Sequence, residues 1–260
     1  GAGSVCGDSM ASREFSTLGH ERLNNPVLQK TDREAFIDHK VNEHHNQPPY
    51  FRKMEQYNLE GAPEMPCLPR PAPMAPDAVD EALRQGAVLV DLRSPEAFAG
   101  AFIPGSLAIP LDMVPAYAGY LLDYETDIIL VPENHSDVRD AVRFLARMGY
   151  DRVAGYFKGG MHAWEVGGKT YDRIGAVHAQ TLDERIQANE DFTLLDVRKQ
   201  PEFEAGRLAG ATHIFLGELP ERTGELDPDK PVVTFCGSGR RALIAASILK
   251  RNGFDRVEDS

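Results

Sequence analysis

Three shortages in this chain each remove a class of function. Positive charge is the first: 28 Lys and Arg against 40 Asp and Glu give a formal net charge of -12, so phosphate backbones and anionic membrane surfaces meet a repulsive field. Neither nucleic acid nor membrane is expected as a partner. Cysteine is the second. Cys6, Cys67 and Cys236 stand far apart, are odd in number and form no CxxC pair, which argues against a disulfide framework or a cysteine zinc site and suits a reducing cytoplasm. Apolar length is the third. No run approaches the roughly 18–20 residues that a membrane helix needs, and the start of the chain lacks a basic then apolar leader. Histidine is sparse too: His39, His44 and His45 in "HKVNEHH" form the one cluster. On a helix their spacings point in different directions, so they read as a solvated polar face rather than a shared metal site.

What is present is a repeat. At 260 residues the chain has the length of about two domains. "GAPEMPCLPRPAPMAP", 61–76, carries so many prolines that it reads as an extended linker, and Cys67 within it reads as incidental. Beyond it, "GAVLVDLRSPEAFAGAFIPGS" at 86–106 parallels "DFTLLDVRKQPEFEAGRLAGA" at 191–211. "DIILVPENHSDVRDAVRFLARMGYDRV" at 127–153 parallels "PVVTFCGSGRRALIAASILKRNGFDRV" at 231–257 without a gap. Each copy reads as a helix, a buried strand, a loop, and a second strand running into a helix. Continuous apolar strands alternating with helices predict parallel sheets covered on both faces, hence two α/β domains over 77–170 and 175–260. Residues 1–60 match neither copy. They hold too few apolar residues for a core of their own, though "DREAFIDHKVNEH" predicts a helix capped by Asp32.

The second copy holds a candidate nucleophile. Cys236 ends a strand, and Gly237, Ser238, Gly239, Arg240 and Arg241 lead into a helix. Loop amides and the helix N-terminus make a concavity for an anion and stabilise a thiolate at its rim. The glycines permit close backbone approach, and the arginines offer forked cationic donors. A cysteine between strand and helix is often a small buried hydrophobe, but such a cysteine needs neither paired glycines nor paired arginines. In the first copy Pro132 aligns with Cys236, and Glu133 and Asp137 stand in a loop that keeps no cationic cradle. No catalysis is expected there, and a packing or docking role remains.

"DVRKQPEFEAGRLAGA" followed by "VVTFCGSGRRALIAASILKRNGFDRV" closely resembles the rhodanese domain. The resemblance covers both copies and is most specific in the second. It implies that Cys236 accepts a sulfane sulfur from thiosulfate or a small persulfide, holds it as a persulfide in the loop 236–241, and passes it to a thiol or cyanide. No cofactor is implied for that reaction. Asp196 and Arg198 match the family's buried strand-end pair and Glu202 the carboxylate near it, as supporting groups. Arg207 stands where the family often has histidine. A persulfide carrier or docking module that does not turn over is the alternative. A cysteine phosphatase is disfavoured, because its signature needs arginine six positions after the cysteine and position 242 is alanine.

"GAGSVCG", "STLGHERLNNPVLQ" and "PPYFRKMEQYNLEGAP" resemble the C-terminal part of a metallo-β-lactamase fold, which bacterial proteins fuse to tandem rhodanese domains. That resemblance implies a parent acting on persulfides of glutathione or coenzyme A, with iron or zinc held by an HxHxDH region that this sequence does not contain. It also implies a chain cut before Gly1. A second cut after Ser260 is expected, because the first copy continues "AGYFKGGMHAW" past its "DRV" and the second does not. Self-association stays open.

Overall fold

The computed structural model describes residues 15–42, 47–65 and 67–260. Cys6, His44 and His45 lie outside them. The chain divides into two compact units, Gly1–Pro48 and Pro49–Ser260. In the first, helices α1 (Leu18–Asn24) and α2 (Arg33–Val41) bury none of their residues. Asp32 caps α2 as its sequence position requires, its side chain accepting from the Ala35 N–H at 2.9 Å.

The second unit opens with α3 (Tyr50–Glu60). Sequence reading groups this stretch with the residues before it. In the structure it packs on the first repeat: the Tyr50 ring lies so close over Gly119 that a Cβ there would come within 2.1 Å of it. The first repeat then runs β1 (Ala72–Met74), α4 (Pro76–Arg84), β2 (Val88–Asp91), α5 (Pro95–Gly100), β3 (Leu107–Ala108), α6 (Val114–Leu121), β4 (Ile128–Val131), α7 (His135–Arg147), β5 (Val153–Phe157) and α8 (Gly160–Val166). The second runs β6 (Gly175–Ala176), α9 (Ala179–Gln187), β7 (Thr193–Asp196), α10 (Gln200–Ala205), β8 (Thr212–His213), α11 (Leu219–Arg222), β9 (Val232–Phe235), α12 (Arg240–Arg251) and β10 (Val257–Asp259).

Each repeat builds a five-stranded sheet, in the orders β1-β5-β4-β2-β3 and β6-β10-β9-β7-β8, and every pairing is parallel. The unbroken apolar runs are explained by this: β2 and β4 are buried along their whole length, as central strands with helices on both faces must be. The proline-rich stretch is less of a linker than its composition suggests. Its end forms β1, an edge strand with β5 as its one neighbour, where the amide that Pro73 lacks is not missed.

The two repeats share a core. One buried cluster includes Val90, Leu107 and Leu130 of the first together with Leu195, Val232 and Leu243 of the second. Helix α12 is the reason. Ala242 to Leu249 are all buried, because the helix packs on β9 and β10 of its own sheet and on β3 of the other. A helix apolar on nearly all sides is what such a position demands, and each fully buried Leu or Ile contributes roughly 1.5–3 kcal/mol. Ser247 is its one buried polar residue, and it is satisfied across the repeats: its Oγ accepts from the Ala108 N–H at 3.0 Å and donates to the Ile244 carbonyl at 2.7 Å.

Candidate active site

Strand β9 delivers Cys236 to the N-terminal end of α12, and the backbone bends through 237–239 before the helix begins. Gly239 is the N-cap at φ 74°, the left-handed region that glycine enters without cost. No side chain caps this helix, so the amides of Arg240 and Arg241 that open it stay available to a ligand. Cys236 is 3% exposed, and its Sγ accepts from the Ala242 N–H at 3.4 Å. Thr234, buried two residues earlier on β9, donates its hydroxyl to the Ala242 carbonyl at 2.9 Å and ties the strand to the start of the helix.

The two arginines of the loop face different partners. Arg241 forks onto Glu202, Nη1 to Oε2 at 2.7 Å and Nη2 to Oε1 at 2.8 Å. The guanidinium holds the Glu202 carboxyl below the usual carboxylate range, and the carboxylate raises Arg241 in turn. Gly237 lies beneath this pair, its missing Cβ 3.8 Å from Arg241 Nη2. Arg240 turns the other way and pairs with Asp112 of the first repeat. Asp196, fully buried at the end of β7, takes Arg198 in a two-pronged contact of 2.6–3.0 Å. Arg198 spends a further N–H on the Gly206 carbonyl at 2.7 Å. Arg207 stacks on the Phe203 ring, which itself stacks on His213.

The rhodanese-like domain model matches residues 75–166 and 178–258, more than half of the chain. The chain belongs to the rhodanese-like domain family. It is 37% identical over 84 residues to the putative sulfurtransferase YtwF of Bacillus subtilis, covering 32% of this chain and 82% of that protein. It is 33% identical over 100 residues to the putative sulfur carrier protein YrkF of the same organism, covering 38% of this chain and 52% of that one. Among solved structures it is similar to a metallo-β-lactamase from Staphylococcus aureus at 29% identity and a TM-score of 0.47, covering 55% of this chain and 40% of that one. The chain thus spans about half, or less, of the length of these last two proteins.

The first rhodanese domain has its own version of the frame. Asp91, buried at the end of β2, takes Arg93 at 2.7–3.1 Å, and Arg93 reaches the Ala101 carbonyl at 2.8 Å. The pair thus recurs at a strand end that carries no cysteine after it. Two residues near the cysteine loop escape sequence reasoning altogether. Asp112 lies in a short 3-10 turn, Leu111–Met113. Tyr117 lies on α6, its phenol within electrostatic reach of Arg241, Glu202 and Cys236, with burial pushing its pKa up. Both belong to the repeat without a nucleophile, in "LDMVPAYAG", where no motif marks them. Only the packing of α12 between the sheets brings them to the other repeat's loop.

Proposed function

We propose that the second rhodanese domain is a sulfurtransferase acting through Cys236. The thiolate attacks the sulfane sulfur of a donor and forms a Sγ–S bond. The donor's own bond to that sulfur breaks, and its electron pair leaves with sulfite from thiosulfate, or with a thiolate from a small persulfide. The loop 236–241 holds the terminal sulfur of the resulting persulfide, and an acceptor thiol or cyanide removes it. The backbone amides of Gly237, Ser238, Gly239 and Arg240 supply donors to the bound anion, Arg241 holds the loop against Glu202, and Asp196 and Arg198 brace the strand end. The observation that carries this reading is the position of Cys236 beside an uncapped helix N-terminus, with an amide aimed at its sulfur.

The Ala242 amide occupies the place where a cysteine phosphatase needs its arginine, which weighs against phosphate ester chemistry. The carrier alternative keeps one specific support, the sulfur carrier named among the relatives. A carrier would load once and stall, whereas a sulfurtransferase turns over with an acceptor thiol.

We further propose that the first 60 residues belong to the end of a metallo-β-lactamase fold in a fusion that acts on persulfides. No group of three His, Cys, Asp or Glu side chains among the described residues could hold a metal. The described residues therefore do not fit an iron or zinc ion, and the sulfur transfer proposed for Cys236 needs none. No helix among the described residues is long and apolar enough to cross a membrane. The test is intact mass after incubation with thiosulfate and, separately, glutathione persulfide. A gain of one sulfur atom on wild type and none on Cys236→Ala is expected. No gain with either donor, or an equal gain on both proteins, would overturn the reading.

A further inference from the structure

Helix α12 presents its first arginine to the wrong repeat for catalysis. Arg240 opens the helix beside the cysteine loop, yet its guanidinium pairs with Asp112. It lines a cavity of about 300 Å³ that also includes Glu133 and Asp137, the residues that stand in the first repeat's counterpart of the catalytic loop. Those two carboxylates already have work. Glu133 Oε2 accepts from the Ser94 N–H at 3.0 Å, and Asp137 Oδ2 accepts from the Asn134 N–H at 2.7 Å.

Asp112 is held for its contact by backbone. Leu111 N–H bonds to the Leu92 carbonyl at 3.1 Å, at the end of the central strand β2, and Met113 N–H closes the turn on Pro110 at 2.7 Å. The carboxylate is therefore presented from a fixed turn, while Arg240 is the long, adaptable partner. Tyr117, the other group reaching across, is a protonated phenol at neutral pH and adds no charge.

The charge around Cys236 follows from this. Arg241 is neutralised by Glu202 and Arg240 by Asp112. A compact oxyanion next to the transferred sulfur, as in thiosulfate, asks for an arginine fork. An alkyl persulfide carries no oxyanion there and needs only the loop amides.

We propose that Asp112 is a positioning residue which sets the donor preference of Cys236: by holding Arg240 toward the first repeat it disfavours thiosulfate relative to low-molecular-weight alkyl persulfides. The inference rests on the sulfurtransfer reading and deepens it. In both cases the Cys236 thiolate bonds to the sulfane sulfur, and the old S–S bond gives its electron pair to sulfite or to the departing thiolate. What Asp112 changes is the binding of the donor, not the bond changes.

The experiment measures the rate of sulfur loading on Cys236 by intact mass over a range of donor concentrations. Wild type, Asp112→Asn, Asp112→Glu, Arg240→Ala and the Asp112→Asn/Arg240→Ala double variant are compared with thiosulfate and with glutathione persulfide. Asp112→Asn should lower the half-saturating thiosulfate concentration about two- to fivefold, the range of a solvent-exposed ion pair, and leave the maximal rate and the persulfide curve unchanged. Asp112→Glu should restore the wild-type curve. In the Arg240→Ala background, Asp112→Asn should change nothing. An equal shift with both donors, or a shift that persists without Arg240, overturns the proposal while loading of Cys236 leaves the sulfurtransfer reading standing. No loading of wild type by either donor overturns that reading, and the proposal with it.

Discussion

The two rhodanese domains share a frame and differ at one helix end. Both end their central strand in an Asp-x-Arg pair, Asp91 with Arg93 and Asp196 with Arg198, and both arginines reach forward to a backbone carbonyl. At the following helix they part. In the first domain Asp137 bonds the Asn134 amide and places its own carboxylate at the N-terminus of α7. In the second, Gly239 caps α12 without a side chain. A helix end filled by its own carboxylate has no room for another anion, and an open one attracts anions. On the proposed sulfurtransfer, the first domain lacks the attraction for an anion as well as the cysteine.

The shared part of this comparison should yield the largest effects. Asp91→Ala and Asp196→Ala each leave a half-buried arginine without its carboxylate partner, and each should destabilise the chain by about 3 kcal/mol in urea unfolding, the low end for a broken buried pair. If only the second costs that much, the pair is not a common brace. A smaller effect belongs to the open helix end alone. Gly239→Ala forces a side chain into the left-handed region at φ 74°, which should cost roughly 1–2 kcal/mol and slow sulfur loading at Cys236. A variant as stable and as fast as wild type would show that the loop does not need this backbone.

The Arg241–Glu202 pair tests the loop through pH. Because Arg241 depresses the Glu202 pKa, the pair's contribution is complete above the ordinary carboxylate range and is lost as pH falls through the lower folded-state value. Both partners keep some solvent contact, so about 1 kcal/mol or less is expected. Thermal midpoints of wild type and Glu202→Gln should accordingly differ at neutral pH and converge in acid. Parallel curves down to the lowest pH would assign the contact no such role. The smallest effect is none. Pro132→Cys should gain no sulfur from thiosulfate in a Cys236→Ala background, since Glu133 and Asp137 would surround the new thiol; loading there would break the comparison.

Much of the fold was legible along the chain. Apolar runs at Val88 and Thr193 become the central strands they predict, since a strand buried on both faces cannot alternate. The placement of Cys236 and its glycines between a strand and a helix was legible as well, because turn residues declare such a loop locally. The edge strand at Ala72–Met74 was not, since prolines mask a strand that has a single neighbour. Nor was the packing of α3, which depends on Tyr50 meeting Gly119, residues far apart in sequence.

By itself the sequence determined the repeat, the parallel sheets and a cysteine poised at a helix N-terminus, because periodicity and turn chemistry act between near neighbours. Only the tertiary structure decided that α12 lies buried between two sheets, and hence that Asp112 and Tyr117 of the domain without a cysteine stand at the other domain's loop. Such contacts arise from burying apolar surface common to both repeats, and that surface carries no local signature of which polar side chains it will bring together.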